Sequence, residues 1–166
     1  MNWYERATVR IASTRPGAWF FVNVAMRIDR VLVPLTGGRL SSCLGTRYHR
    51  QHLLIVTTTG AKSGRPRTVP LLYFTDGADL VVIGSKGGHP RHPAWYHNVR
   101  AHPRVTVYAR GTRTECQARD AQGAERARLW ARAVEVYPGY ASYRARADGR
   151  EIPVVVLSAV STATAT

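Results

Sequence analysis

Apolar positions along this chain form two kinds of run. From Gly17 to Val33 most positions are apolar, while Asn23, Arg27 and Arg30 recur at i, i+4, i+7. That spacing puts the polar residues on one face and predicts a helix over 17–33, ended by Pro34 and Gly37-Gly38. Residues 1–16 are polar and Arg-rich and read as a loose arm. Further on, the runs are short and punctuated by turn residues. Residues 52–59 and Thr68–Thr75 read as strands of a hairpin whose tip is Gly60–Arg67. Asp76-Gly77 is a tight-turn signal, and Leu80–Gly84 is a third strand. Residues 93–101 predict a short helix with Pro93 at its first position and Pro103 as its stop. Val105–Ala109 and Arg113–Arg119 form a second hairpin around Gly111. Asp120 is the expected N-cap of a helix to about Tyr137, with Leu129, Ala133, Val134 and Tyr137 on one face. Pro138-Gly139 breaks that helix, Tyr140–Ala147 continues as a second piece, and Ile152–Val160 is the closing strand.

About six strands joined by tight turns, with few and mostly late helices, predict an α+β domain built on a small closed or split antiparallel barrel. A doubly wound fold is disfavoured, because strands one to three leave no room for crossover helices. The expected organisation is an arm and amphipathic helix over 1–45, a barrel domain over 46–160 and a Ser/Thr/Ala tail over 161–166.

Composition changes this picture in one respect. The chain has 166 residues, suiting one domain, and a net charge of +14. The excess lies in the first two thirds, since the six acids after residue 110 nearly balance the arginines there. Such a surface could meet nucleic acid, anionic lipid or an anionic cofactor. No zinc-finger or RNP-type motif supports nucleic acid. The run Ala18–Met26 is too short to cross a bilayer, is interrupted by Asn23 and is followed by no small-residue cleavage site. The 17–33 helix therefore either packs on its own domain or a sister subunit, or lies on a membrane surface. Cys43 and Cys116 read as free thiols in a reducing compartment, and a cytoplasmic location is expected.

Only two lysines are present, and each sits in a glycine-rich loop after an apolar run: Gly60-Ala61-Lys62-Ser63-Gly64-Arg65-Pro66-Arg67 and Gly84-Ser85-Lys86-Gly87-Gly88. Glycines let a backbone approach a ligand closely, and cations beside them suit an anion. The first loop shares residue types with a P-loop, but its spacing differs and Pro66 and Pro70 exclude the helix that must follow. Lys62, Arg65 and Arg67 at a hairpin tip either hold a phosphate or are a solvated turn. Ser85 ends a strand, so its hydroxyl and amide can point into a mouth of the sheet. Trp95 either walls an aromatic cofactor or is a core residue. Tyr137, Tyr140 and Tyr143 either line a substrate pocket with their hydroxyls or form an aromatic packing stripe. His49/His52 and His89/His92 have no carboxylate or thiol nearby in sequence, so no metal is expected. There is no Gly-x-Ser-x-Gly elbow for a hydrolase.

Taken in order, Thr57–Arg67, Val69-Pro70-Leu71, Gly84–Gly88, Pro93–Val99, His102–Val105 and the tyrosines of 137–143 resemble the deazaflavin-dependent nitroreductase family of actinobacterial oxidoreductases. The resemblance runs from about Gly17 to Val160. It implies a split β-barrel like the flavin-mononucleotide-binding barrels, and binding of coenzyme F-420, an 8-hydroxy-5-deazaflavin. It implies that Lys62, Ser63, Gly64, Arg65 and Arg67 take the phosphate and glutamate tail, with Ser85, Lys86, Gly87, Ala94 and Trp95 along the ring. Ala94 departs from relatives that carry a larger residue there. Ser85, Tyr137, Tyr140 and Tyr143 match residues on the substrate side. The implied reaction is hydride transfer from the reduced coenzyme to a small conjugated acceptor: a quinone, a nitro compound or an activated alkene. Segments like the 17–33 helix associate with membranes in some relatives, and a homodimer is a further expectation. The alternatives are a barrel holding flavin mononucleotide or haem, and a non-catalytic deazaflavin carrier.

Overall fold

The strands of this protein differ in how many of their faces are buried, and the computed structural model shows why. It describes residues 53–160, together with Thr14, Pro16, Phe20, Val24, Arg27, Ile28 and Val31. The element order is β1 (Leu53–Thr59), β2 (Pro66–Asp76), β3 (Asp79–Ile83), a 3-10 turn (Lys86–Gly88), α1 (Ala94–Ala101), β4 (Arg104–Ala109), β5 (Thr112–Asp120), α2 (Gly123–Val136), α3 (Gly139–Arg146) and β6 (Val154–Ala159). All pairings are antiparallel. The order around the barrel is β1-β2-β3-β6-β5-β4, closed by β4 against β1.

Side chains alternate across a strand, and the alternation sorts the core into two parts. Inside the barrel lie Leu54, Val56, Tyr73, Val82, Val105, Val107, Cys116, Ala118, Val155 and Leu157, with Trp95, Tyr96 and Val99 of α1 packed on them. Phe74, Val81, Ile83, Val154 and Val156 face the other way, onto Leu129, Trp130 and Ala133 of α2 and Tyr140 and Tyr143 of α3. Successive residues of β3 and β6 therefore enter opposite cores. This is why both read as unbroken apolar runs. β5 has one wet face, so Arg113, Glu115, Gln117 and Arg119 alternate with Cys116 and Ala118.

Some boundaries differ from the expectation. Pro66 and Pro70 both lie within β2, where Pro66 is the first residue and Pro70 pairs with Ile55. Pro93 is the N-cap of α1 rather than its first helical residue. Asp120 is not a helix cap: it ends β5, and Gln122 caps α2. Asp120 instead accepts a hydrogen bond from the Tyr96 hydroxyl at 2.8 Å, which ties α1 to the barrel. Of the 17–33 segment, Phe20, Arg27, Ile28 and Val31 are helical, and Phe20, Ile28 and Val31 are exposed. Apart from Thr14, Pro16 and Val24, the rest of that segment, the arm, residues 32–52 with Cys43, His49 and His52, and the 161–166 tail lie outside the described residues.

Candidate active site

The Lys62 loop is the tip of the β1–β2 hairpin, as its sequence predicts. The Gly60 amide donates to the Arg65 carbonyl at 2.9 Å and the Gly64 amide to the Gly60 carbonyl at 2.8 Å, so the turn closes on itself. Its position is set from outside. Asn98 of α1 accepts from the Ala61 amide at 3.0 Å and donates through Nδ2 to Thr58 Oγ1 at 3.0 Å. Thr58 in turn donates to the Arg67 carbonyl at 3.1 Å. Thr58 and Asn98 are the buried polar side chains among the described residues. Within this network the side-chain polar groups of Thr58 and Asn98 are both partnered, as burial requires. Lys62, Ser63, Arg65 and Arg67 are exposed around it.

The Lys86 loop runs from the end of β3 into α1. The Gly84 amide donates to the Pro153 carbonyl at 2.9 Å, which holds the loop's start beside β6. Ser85 has right-handed helical angles, and Lys86, Gly87 and Gly88 follow with φ of 48°, 63° and 81°. A right-handed residue followed by a left-handed one turns consecutive amides toward one concavity, a geometry that suits anions. Gly88 has a second reason to be glycine. A Cβ there would stand 2.7 Å from the Tyr143 carbonyl oxygen. Ser85, Lys86 and Gly87 are half-buried.

Helix α1 joins the two loops. Ala94, at its exposed start, lies about 6 Å along the axis from Asn98. Trp95 is buried among the barrel residues, so within this chain it is a core side chain. Tyr137, Tyr140 and Tyr143 pack on one another and on Trp130. The Tyr137 and Tyr143 hydroxyls are 3.1 Å apart. Burial pushes the Tyr143 hydroxyl above its ordinary pKa, against opposing effects of the Tyr137 hydrogen bond and Arg146. Tyr143 therefore keeps its proton at neutral pH. The trio borders the Lys86 loop through α3, where Arg146 Nη2 donates to the Gly87 carbonyl at 3.4 Å.

The electrostatics divide the molecule. Ion pairs among the described residues join Arg113, Arg119, Arg126, Arg128 and Arg132 to Glu115, Glu125, Glu151, Asp76 and Glu135. None of these involves Lys62, Arg65, Arg67 or Lys86. Among the described residues the loop cations therefore have no carboxylate partner within 4 Å. That donor set, with the Ser85–Lys86 amides, fits a cofactor carrying a phosphate and carboxylates.

A model of the F420H(2)-dependent quinone reductase family matches residues 32–159. The chain belongs to this family. An F420H(2)-dependent quinone reductase of Mycobacterium tuberculosis is 42% identical over 108 residues, covering 63% of this chain and 72% of the relative. The structure of an F420-H2 dependent reductase (FDR-A) is 41% identical with a TM-score of 0.61, covering 69% of this chain and 100% of that one. A domain-swapped dimer is 37% identical with a TM-score of 0.62, covering 80% of this chain and 96% of that one. HutZ, the haem storage protein of Vibrio cholerae, is 13% identical with a TM-score of 0.51 over 66% of this chain and 82% of that one, a likeness of fold alone. This family member is an F420H2-dependent reductase on a split β-barrel. The cofactor of the family is the deazaflavin expected from the motifs.

Two residues that shape the site escaped the sequence reading. Asn98 had a signal: it shares the apolar face of α1 with Trp95 and Val99 at i, i+3, i+4, where a polar residue needs a partner. Arg150 had none. It follows the Asp148-Gly149 turn, and its partners lie about sixty residues earlier in the chain.

Proposed function

We propose that the two lysine loops form the coenzyme site and that the reduced coenzyme's acceptor is a quinone. The observation that carries this reading is the set of exposed cations at Lys62, Arg65 and Arg67, in no ion pair among the described residues, on a loop held by Asn98 of α1, the helix that follows the Lys86 loop. In this reading Lys62, Arg65 and Arg67, with Ser63 and Gly64, hold the phosphate and the anionic tail. Ser85, Lys86, Gly87 and Ala94 border the ring, with Trp95 beneath. The bound coenzyme supplies the hydride. The protein's part is to hold ring and acceptor in register, which is the main source of acceleration expected for such a transfer. A proton must also reach the reduced acceptor. Tyr143, kept protonated by burial and bonded to Tyr137, is the favoured side-chain source, and Ser85 is the other hydroxyl at hand.

Peripheral membrane contact through residues 17–33 belongs to this reading, because a quinone acceptor is lipid-soluble and Phe20, Ile28 and Val31 are exposed. Among the described residues, no helix is long and apolar enough to cross a membrane. A homodimer is supported by the domain-swapped form of a homologue. The decisive experiment is turnover of a menaquinone analogue by reduced F-420, with oxidation followed by absorbance. Coenzyme binding without turnover would sink the quinone assignment. Quenching of tryptophan fluorescence by flavin mononucleotide but not by F-420 would sink the site.

A further inference from the structure

Arg150 lies under the Lys86 loop and uses all three guanidinium nitrogens on it. Nε donates to the His89 carbonyl at 2.9 Å, Nη2 to the Ser85 carbonyl at 2.8 Å and Nη1 to the Gly84 carbonyl at 3.2 Å. Nη1 also stands 3.3 Å from His92 Nδ1. One planar group therefore stitches both ends of the loop and the approach to α1. We propose that Arg150 is a positioning residue for the coenzyme, fixing the Ser85–Lys86–Gly87 backbone that borders its ring. This rests on the site reading above.

The physical reason lies in the peptide unit. Carbonyl and amide of one trans peptide point in opposite directions. With the Gly84 and Ser85 carbonyls drawn toward Arg150, the Ser85 and Lys86 amides point away from it. Those amides belong to the right-handed–left-handed pair that forms the concavity. Arg150 thus decides which face of the loop presents donors. A lysine keeps the charge but cannot span these carbonyls, because it offers one nitrogen in place of a rigid fork. Arg150 is also in no ion pair among the described residues, so its charge adds to that of the loop.

The test compares R150K and R150Q with wild type and with R67A. Three quantities are measured: the F-420 dissociation constant at low and high salt, amide hydrogen exchange over residues 84–92 without coenzyme, and the unfolding temperature. R150K should bind F-420 about tenfold more weakly, the loss of one well-placed charged hydrogen bond. Its salt dependence should match wild type, and residues 84–92 should exchange faster while the rest of the barrel does not. R67A should lose affinity with a shallower salt dependence and unchanged exchange in 84–92. R150Q should be weaker than R150K. Wild-type affinity in R150K, or unchanged exchange in 84–92, overturns the proposal. Global unfolding of both Arg150 variants also overturns it, since the residue would then serve the whole fold. If wild type itself binds no F-420, the site reading fails, and the exchange data then report only Arg150's hold on the loop.

Discussion

The Lys62 loop is pinned by a neutral amide side chain and the Lys86 loop by a guanidinium, and the two loops are built to match. The first is a hairpin tip that already closes on itself, so Asn98 has only to set its angle to α1. Its work is left to exposed cations. The second is a connection between a strand and a helix with three successive left-handed residues, and it needs several carbonyls satisfied at once. Its work is left to its backbone. In the proposed coenzyme site, one loop contributes charge and the other contributes shape.

The largest effect should come from removing charge at the first loop. K62A/R67A should weaken F-420 binding by roughly 100-fold at low salt, from about 1.5 kcal/mol for each charged hydrogen bond lost. The difference from wild type should shrink as salt rises, because the Debye length falls from about 10 Å at 0.1 M to about 3 Å at 1 M. A salt-independent loss would break the contrast between the loops. Next, Gly88→Ala should destabilise the protein by about 1–3 kcal/mol, since a Cβ there meets the Tyr143 carbonyl at 2.7 Å with φ of 81°. Gly60→Ala should cost less. Its nearest obstacle, at 2.6 Å, is the end of the Ser63 side chain, which can rotate away. Chemical denaturation of the two variants checks the order.

Asn98→Ala removes the acceptor of the Ala61 amide and the donor to Thr58 Oγ1, which keeps its bond to the Arg67 carbonyl. It should lower stability by about 1–3 kcal/mol, with coenzyme affinity falling through the Lys62 loop alone. Exchange in 84–92 should stay at wild-type rates, and faster exchange there would show that the loops are coupled through α1. The smallest effect concerns pH. His92 has its pKa lowered by burial first, then by Arg150, His97 and Arg100, against Asp120. The unfolded chain therefore takes up this proton first. Stability from this group is present above the unfolded value near 6.5 and is lost as pH falls toward the folded one. Unfolding temperatures between pH 7 and pH 5 should fall more steeply for wild type than for H92Q.

Much of the barrel was legible because its signals are local. Alternation, Asp76-Gly77, Gly111 and the Pro103 stop each act within a few residues, and the six strands follow from them. Asp120 misled because an acidic residue before an apolar-periodic stretch is a good cap by pattern. In the fold it pairs with Tyr96, a partner 24 residues away. The loop cations were visible as charges next to glycines, and the family motifs gave them a ligand. That they pair with no carboxylate among the described residues could not be read from the chain, because the arginines with carboxylate partners look the same in sequence.

Sequence by itself determined the barrel's strands, the two lysine loops and, through ordered motifs, the deazaflavin chemistry. Each is carried by residues adjacent in the chain, where backbone preference and side-chain type act directly. Only the tertiary structure decided which core each face of β3 and β6 joins. Only it put Asn98 under one loop and Arg150 under the other. A buried donor takes the carbonyl that packing brings within 3 Å, and no local preference encodes a partner 37 or 65 residues away.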